Sequence, residues 1–354
     1  MPPSSLDPLP FPPPENTRQV TLANTQRPPL SYVNAIVKSF SSTPGPPPAP
    51  PTAARLVTVG ISHYAEKVRW GLDIKRSDPA FDYVEDAHPP ALASLFTTRL
   101  DPGCSATPII ELREGEKVSV MKDSTAILEH LCPFLYPEER LGEVREWEER
   151  LDRLLGTTSR VFAYEHMLAE EHKPLLVELA TAGTSVVETQ VFQLAINRNV
   201  LQKNMKRFMK IDAANATRSR AEIDVLYKEV SDRLATSPYL AGPTFTAADL
   251  TFAALSSPLL NVPEFGGLQP GFHRFPTQMQ QAAAELRETP AGKHALRCYA
   301  EYRFATARGG KVEGSPSEGR LIAFRGGGRN LAGVRKLGVA GGLLALGLGA
   351  WLAS

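Results

Sequence analysis

The apolar run Leu56-Val57-Thr58-Val59-Gly60 ends at a glycine, and beyond it the period of the pattern changes. From His63 onward, Val68, Leu72 and Ile74 recur at intervals that place them on the inward side of a helix. The pattern predicts a strand, a turn at Ile61-Ser62 and a helix. Further along, Pro108 stands directly before Ile109-Ile110-Glu111-Leu112. Proline has no backbone N–H to give to a ladder, so it is tolerated at a strand entry, and this run reads as one. Lys117-Val118-Ser119-Val120-Met121 reads as another strand, and Ile127, Leu128 and Leu131 then resume helical spacing.

From about Glu138 to Arg303 the apolar positions are helical almost throughout. Val144, Trp147, Leu151, Leu154 and Leu155 predict one long helix; Ile223, Leu226, Val230 and Leu234 predict another, and Leu296, Tyr299 and Tyr302 the last. The charged stretch Gln202 to Arg220 reads as a solvated helix end or loop. An α/β region followed by an all-α region is the expected architecture.

Three short segments carry candidate chemistry. Ser62 falls where the first N–H groups of a helix lack partners and the helix dipole presents its positive end. Serine at such a place is a preferred N-cap. The residue three positions later is Ala65, not Glu or Gln, so no capping box is formed. The same hydroxyl can also hold an anion, a thiolate included. Asp123 and Ser124 open the next helix and admit the same two readings, cap or cradle for a ligand carboxylate. Thr246 and Asp249, three apart before Leu250, Phe252 and Leu255, read as a reciprocal cap whose role is structural.

Serine turn and helix, proline-led strand, second strand, then Asp-Ser and helix: in this order the chain resembles the glutathione S-transferase family. The string Ser62-His63-Tyr64-Ala65-Glu66-Lys67-Val68-Arg69-Trp70 is especially similar to one branch of it. The resemblance covers roughly residues 55–305. It implies a thioredoxin-like α/β domain over residues 55–136 and an all-helical domain over 137–305. By the resemblance Ser62 is the catalytic hydroxyl, and Thr107 precedes a cis Pro108 whose neighbouring backbone pairs with the cysteinyl unit of glutathione. Asp123 and Ser124 hold the γ-glutamyl end. Glutathione is then the co-substrate, with a small electrophile or a peroxide as second substrate and a second copy of the chain as partner. A free thiol with a pKa near 8.5 must be lowered by about two units to ionise at neutral pH, which takes roughly 2.7 kcal/mol. A charge-assisted Oγ–H···S⁻ bond and a helix N-terminus are of that order. Serine in place of cysteine at position 62 favours conjugation or peroxide reduction over thiol–disulfide exchange, and Cys104 falls in the loop before Thr107.

Composition narrows the rest. A formal net charge of +1 argues against a nucleic-acid surface. Cys104, Cys132 and Cys298 are too scattered for a disulfide framework or a zinc site, the histidines show no ligand spacing, and no metal is expected. His63 reads as a surface residue beside the serine. Residues 1–54 hold 15 of the 31 prolines, so this segment cannot build a core and reads as disordered or targeting sequence, although Leu30 to Phe40 has helical spacing. A Gly/Arg-rich linker is expected over 306–334.

The chain then closes with Leu337 to Ala353, uncharged and preceded by Arg335-Lys336. At about 1.5 Å per residue such a run spans roughly 25 Å, close to a bilayer core. Residues 335–354 are therefore expected to form a single transmembrane tail anchor in contact with lipid, with the body facing the cytosol at a mitochondrial, plastid or peroxisomal surface. This layout also resembles the ganglioside-induced differentiation-associated proteins, which implies the alternative of a membrane adaptor with little catalytic activity.

Overall fold

Three strands, at Ala53–Thr58, Ile109–Glu114 and Lys117–Lys122, follow from the patterns above; a fourth, at Asp82–Ala87, and the helix at Ala93–Leu100 have no counterpart there. The computed structural model describes residues 50–304. The proline-rich residues 1–49, the linker and the expected tail anchor lie outside the described residues. Among those described, no helix is long and apolar enough to cross a membrane.

The sheet takes the order β2-β1-β3-β4 from β1 (Ala53–Thr58), β2 (Asp82–Ala87), β3 (Ile109–Glu114) and β4 (Lys117–Lys122). Strand β1 runs parallel to β2, with Leu56 opposite Glu85, and antiparallel to β3, with Leu56 opposite Ile110. Strand β4 is an antiparallel edge, Leu112 facing Ser119. Alternation sorts the side chains onto two faces. Leu56, Ile110 and Leu112 join Val68 and Leu72 of α1 (His63–Lys75) and Ile127 and Leu128 of α3 (Ser124–Leu131) in the main core. Val57 and Ile109 face the other way, where Phe96 and Leu100 of α2 (Ala93–Leu100) cover them. The order of elements is the one expected of a thioredoxin-like region.

The helical region comprises α4 (Leu141–Arg153), α5 (Leu155–Met167), α6 (Lys173–Ala180), α7 (Val186–Asn197), α8 (Val200–Phe208), α9 (Ala213–Leu234), α10 (Ala247–Leu260), α11 (Thr277–Glu288) and α12 (Pro290–Tyr302). The single long helix expected from Val144 onward is instead two, broken at Leu154 with φ −94° and ψ −63°. Just past the break the Thr157 hydroxyl donates to Arg153 O at 2.7 Å, the kind of side-chain competition that bends helices. At the start of α10 the Asp249 carboxylate accepts from Thr246 N at 3.0 Å and from Leu240 N at 2.9 Å, so its role is structural as expected.

Helix α1 is enclosed by both regions. His63 and every residue from Ala65 to Leu72 are buried, so its charged residues cannot form a solvated face. Glu66 instead accepts from Arg303 at 2.8 Å, Lys67 Nζ lies 2.8 Å from Glu148, and Trp70 Nε1 donates to Tyr302 O at 3.0 Å.

Candidate active site

The turn between β1 and α1 places Ser62 at the N-cap, in extended conformation. Its Oγ accepts from Ala65 N at 3.2 Å, so the cap reading of the sequence holds. Capping uses only an acceptor lone pair. Among the described residues no acceptor takes the Ser62 hydroxyl hydrogen, which leaves a donor at the mouth of the helix.

What fixes this turn is a buried charge. Arg69, one side of α1 below the turn, donates from its guanidinium to Gly60 O at 2.9 Å and to Glu85 at 2.6 and 2.8 Å. Burial works against its charge, but Glu85 and then Glu66 more than offset this and hold its pKa above the ordinary arginine value. Glu66 in turn accepts from Gly266 N at 3.0 Å, tying in the loop that carries Phe265 and Leu268.

Ser62 opens onto a cavity of about 560 Å³, which Thr107 also lines. The Thr107–Pro108 peptide is cis. Ala91, held at a φ of 72°, borders the same space, as do Phe265, Leu268 and Phe275. Helix α5 presents Arg160, Ala163, Tyr164 and Met167 to it, spaced as one helical face.

His63 is not a surface residue. It is only 5% exposed, and its Nε2 lies 2.9 Å from Gly156 O. The neighbouring Tyr64 lies against the same glycine, where a Cβ on Gly156 would fall 2.0 Å from its hydroxyl. Burial, aided by the positive charge of Arg160, pushes the His63 imidazole down to about 4. It is neutral near pH 7. Tyr64 donates to Asp152 O at 2.8 Å, and burial pushes its phenol up to about 12.

Asp123 and Ser124 sit at the start of α3, outside the lining of this cavity, as does Pro108. Ser124 is buried, whereas Asp123 is exposed at φ 75° and ψ 120°, an unusual conformation for a residue with a side chain. The Asp123 carboxylate accepts from Thr125 N and Ala126 N, both at 3.0 Å, which satisfies helix-end donors. A hydrogen-bond path joins this corner to the first: Thr125 Oγ1 donates to Asp152 at 2.8 Å, and Asp152 O receives Tyr64. The structure thus brings Ser62 and Thr107 onto one cavity and holds Asp123-Ser124 beside it, at a second helix N-terminus.

Arg160 escaped the reading of the sequence. Among the described residues it is the one charged side chain of the cavity lining. Its signal was available as Gly156, Arg160 and Tyr164, four apart on one helical face. That face could not be assigned to a cavity until α5 was placed against α1.

No protein-family model matches the chain, and no curated protein matches it in sequence. Solved structures with a similar arrangement include a glutathione transferase from Burkholderia graminis with two glutathione molecules bound per subunit. It is 15% identical, covering 78% of this chain and 96% of that one, at a TM-score of 0.44. Glutathione transferase F7 from Populus trichocarpa is 14% identical, covering 69% and 98%, at 0.41. The beta-etherase LigF from Sphingobium sp. strain SYK-6 is 17% identical, covering 69% and 98%, at 0.40. At these values the likeness does not bear on the chemistry of the site.

Proposed function

We propose that the protein is a glutathione-dependent transferase in which Ser62 holds the glutathione sulfur as a thiolate. The observation that carries this reading is the convergence of Ser62 and Thr107 on one largely apolar cavity at the start of α1. The serine keeps a donor for a sulfur anion while its acceptor serves the helix. The helix N-terminus adds positive potential at the same point. Thr107 borders the space in which the cysteinyl unit would lie. Asp123 and Ser124 supply the second helix N-terminus, suited to the γ-glutamyl carboxylate. The strained backbone of Asp123 is of the kind that gathers at ligand clamps.

In the reaction the thiol proton leaves to solvent, and the thiolate attacks the electrophilic atom. A carbon–sulfur bond forms while the leaving group departs with its electron pair. With a peroxide the thiolate attacks the hydroxyl oxygen and breaks the O–O bond, giving a sulfenic acid and an alkoxide that takes a proton from solvent; a second glutathione thiol then attacks the sulfur and closes the disulfide as water leaves. We also propose, from the sequence of residues 335–354 alone, that a membrane tethers this body. The test is Ser62→Ala. It should retain glutathione binding by calorimetry but lose about 10- to 100-fold in turnover of a generic electrophile, the value of one charge-assisted hydrogen bond. Turnover at the wild-type rate would reduce Ser62 to a cap.

A further inference from the structure

The cavity is apolar over most of its lining, yet Arg160 stands in it unanswered. Its Nε is sealed from solvent with no hydrogen-bond partner. Among the described residues no carboxylate forms an ion pair with its guanidinium. The nearby ionisable groups on which its charge acts are His63, Tyr64 and Tyr164, and none of them offers an anion at neutral pH. Arg160 as a whole is half-buried, so its guanidinium keeps donors at the cavity for an anion that a ligand would supply. Position reinforces the point. Arg160 shares its helical face with Ala163, Tyr164 and Met167, so it borders the apolar space that a second substrate would fill.

We infer that Arg160 selects a second substrate with an apolar body and one carboxylate or similar anionic group, which its planar fork would hold by paired hydrogen bonds. This rests on the transferase reading above. The apolar body would pack against residues such as Met167, Phe265 and Leu268, and the anion would set which carbon faces Ser62. Glutathione itself carries carboxylates, so the test must separate the two ligands.

A chlorodinitrobenzoate and its methyl ester serve as probes. The thiolate displaces chloride from each, forming the C–S bond as the C–Cl bond breaks, and the ester replaces the negative charge with a neutral methyl-capped group, so each rate is divided by its uncatalysed rate with glutathione. The full chain should turn over the acid with the higher kcat/KM. Arg160→Met should lower that value for the acid by about 10- to 100-fold, the range of a charge-assisted bond, and change the ester's by less than about threefold. Arg160→Lys should recover part of the loss. Equal losses for acid and ester, or an equal loss of glutathione affinity in Arg160→Met, would overturn the inference, because Arg160 would then serve the sulfur or glutathione.

Binding of dinitrobenzoate without chloride, measured by calorimetry in the absence of glutathione, keeps the two readings apart. Arg160-dependent binding without any turnover would sink the transferase reading and leave the anion site standing. Acid and ester bound equally well would sink the anion site.

Discussion

Arg69 lies in the interior and Arg160 at the wall of the cavity, and the protein answers the charge of only the first. Arg69 is wholly buried, and its guanidinium meets Glu85 at 2.6 Å and Gly60 O at 2.9 Å. Arg160 is half-buried, and its Nε has no partner. The first charge fixes the turn that carries Ser62. The second borders the cavity into which that turn opens. A paired buried charge works on the fold, while an unpaired one beside an apolar cavity is available to a ligand.

The comparison breaks most sharply at Arg69. Arg69→Met leaves Glu85 buried without its partner and should destabilise the fold by about 3–5 kcal/mol in urea unfolding. Removing both charges in Arg69→Met with Glu85→Leu should recover much of that loss, because the penalty comes from the orphaned carboxylate. A single variant as stable as the parent would mean that the network does not hold the turn.

A second contrast lies in His63, which is buried beside Arg160 and pushed down to about 4. The fold favours its neutral form. Its contribution is therefore fully present above the unfolded value of about 6.5 and is lost as pH falls toward 4, by roughly 3 kcal/mol. Unfolding free energies of the parent and of His63→Gln should diverge at pH 7 and converge near pH 4. Parallel profiles would show that the imidazole is not held neutral.

Smaller still is the cap. Ser62→Ala removes the acceptor for Ala65 N and should cost about 1 kcal/mol of stability. Arg160→Met orphans nothing, so its unfolding free energy should stay within about 0.5 kcal/mol of the parent. A loss as large as that at Arg69 would show that Arg160 has a structural partner and would erase the contrast.

Local chemistry was legible in the sequence and long-range placement was not. Ser62, Thr107 and Asp123 each sit in a short motif that neighbours in the chain make visible, although the turn under Ser62 is fixed by Arg69 and the more distant Glu85. Helix α2 buries the small or polar Ala93, Ser94 and Thr97 and only half-buries Phe96 and Leu100, and Leu92 before it makes no side-chain cap, so little in its sequence marks it as a helix. The burial of His63 comes from α5, far away in sequence, whose Gly156 carbonyl meets its Nε2 and whose missing side chain at the same residue lets Tyr64 lie alongside. Periodicity assumes that one side of a helix meets water, so nothing in it marks Glu66, Lys67 and Arg69 as buried. Helix α1 has no such side, and each of these charges found a partner inside instead.

That enclosure bears on whether the two regions are separable modules. A fragment ending at Tyr136 would keep Glu66, Lys67 and Trp70 but leave Arg303, Glu148 and Tyr302 on the other piece. Both pieces would then expose half of an interior that is charged as well as apolar, and neither half could be solvated cheaply. The sheet and the helices are interlocked through one helix that belongs equally to both, so the serine turn at its head is only as rigid as the assembled whole.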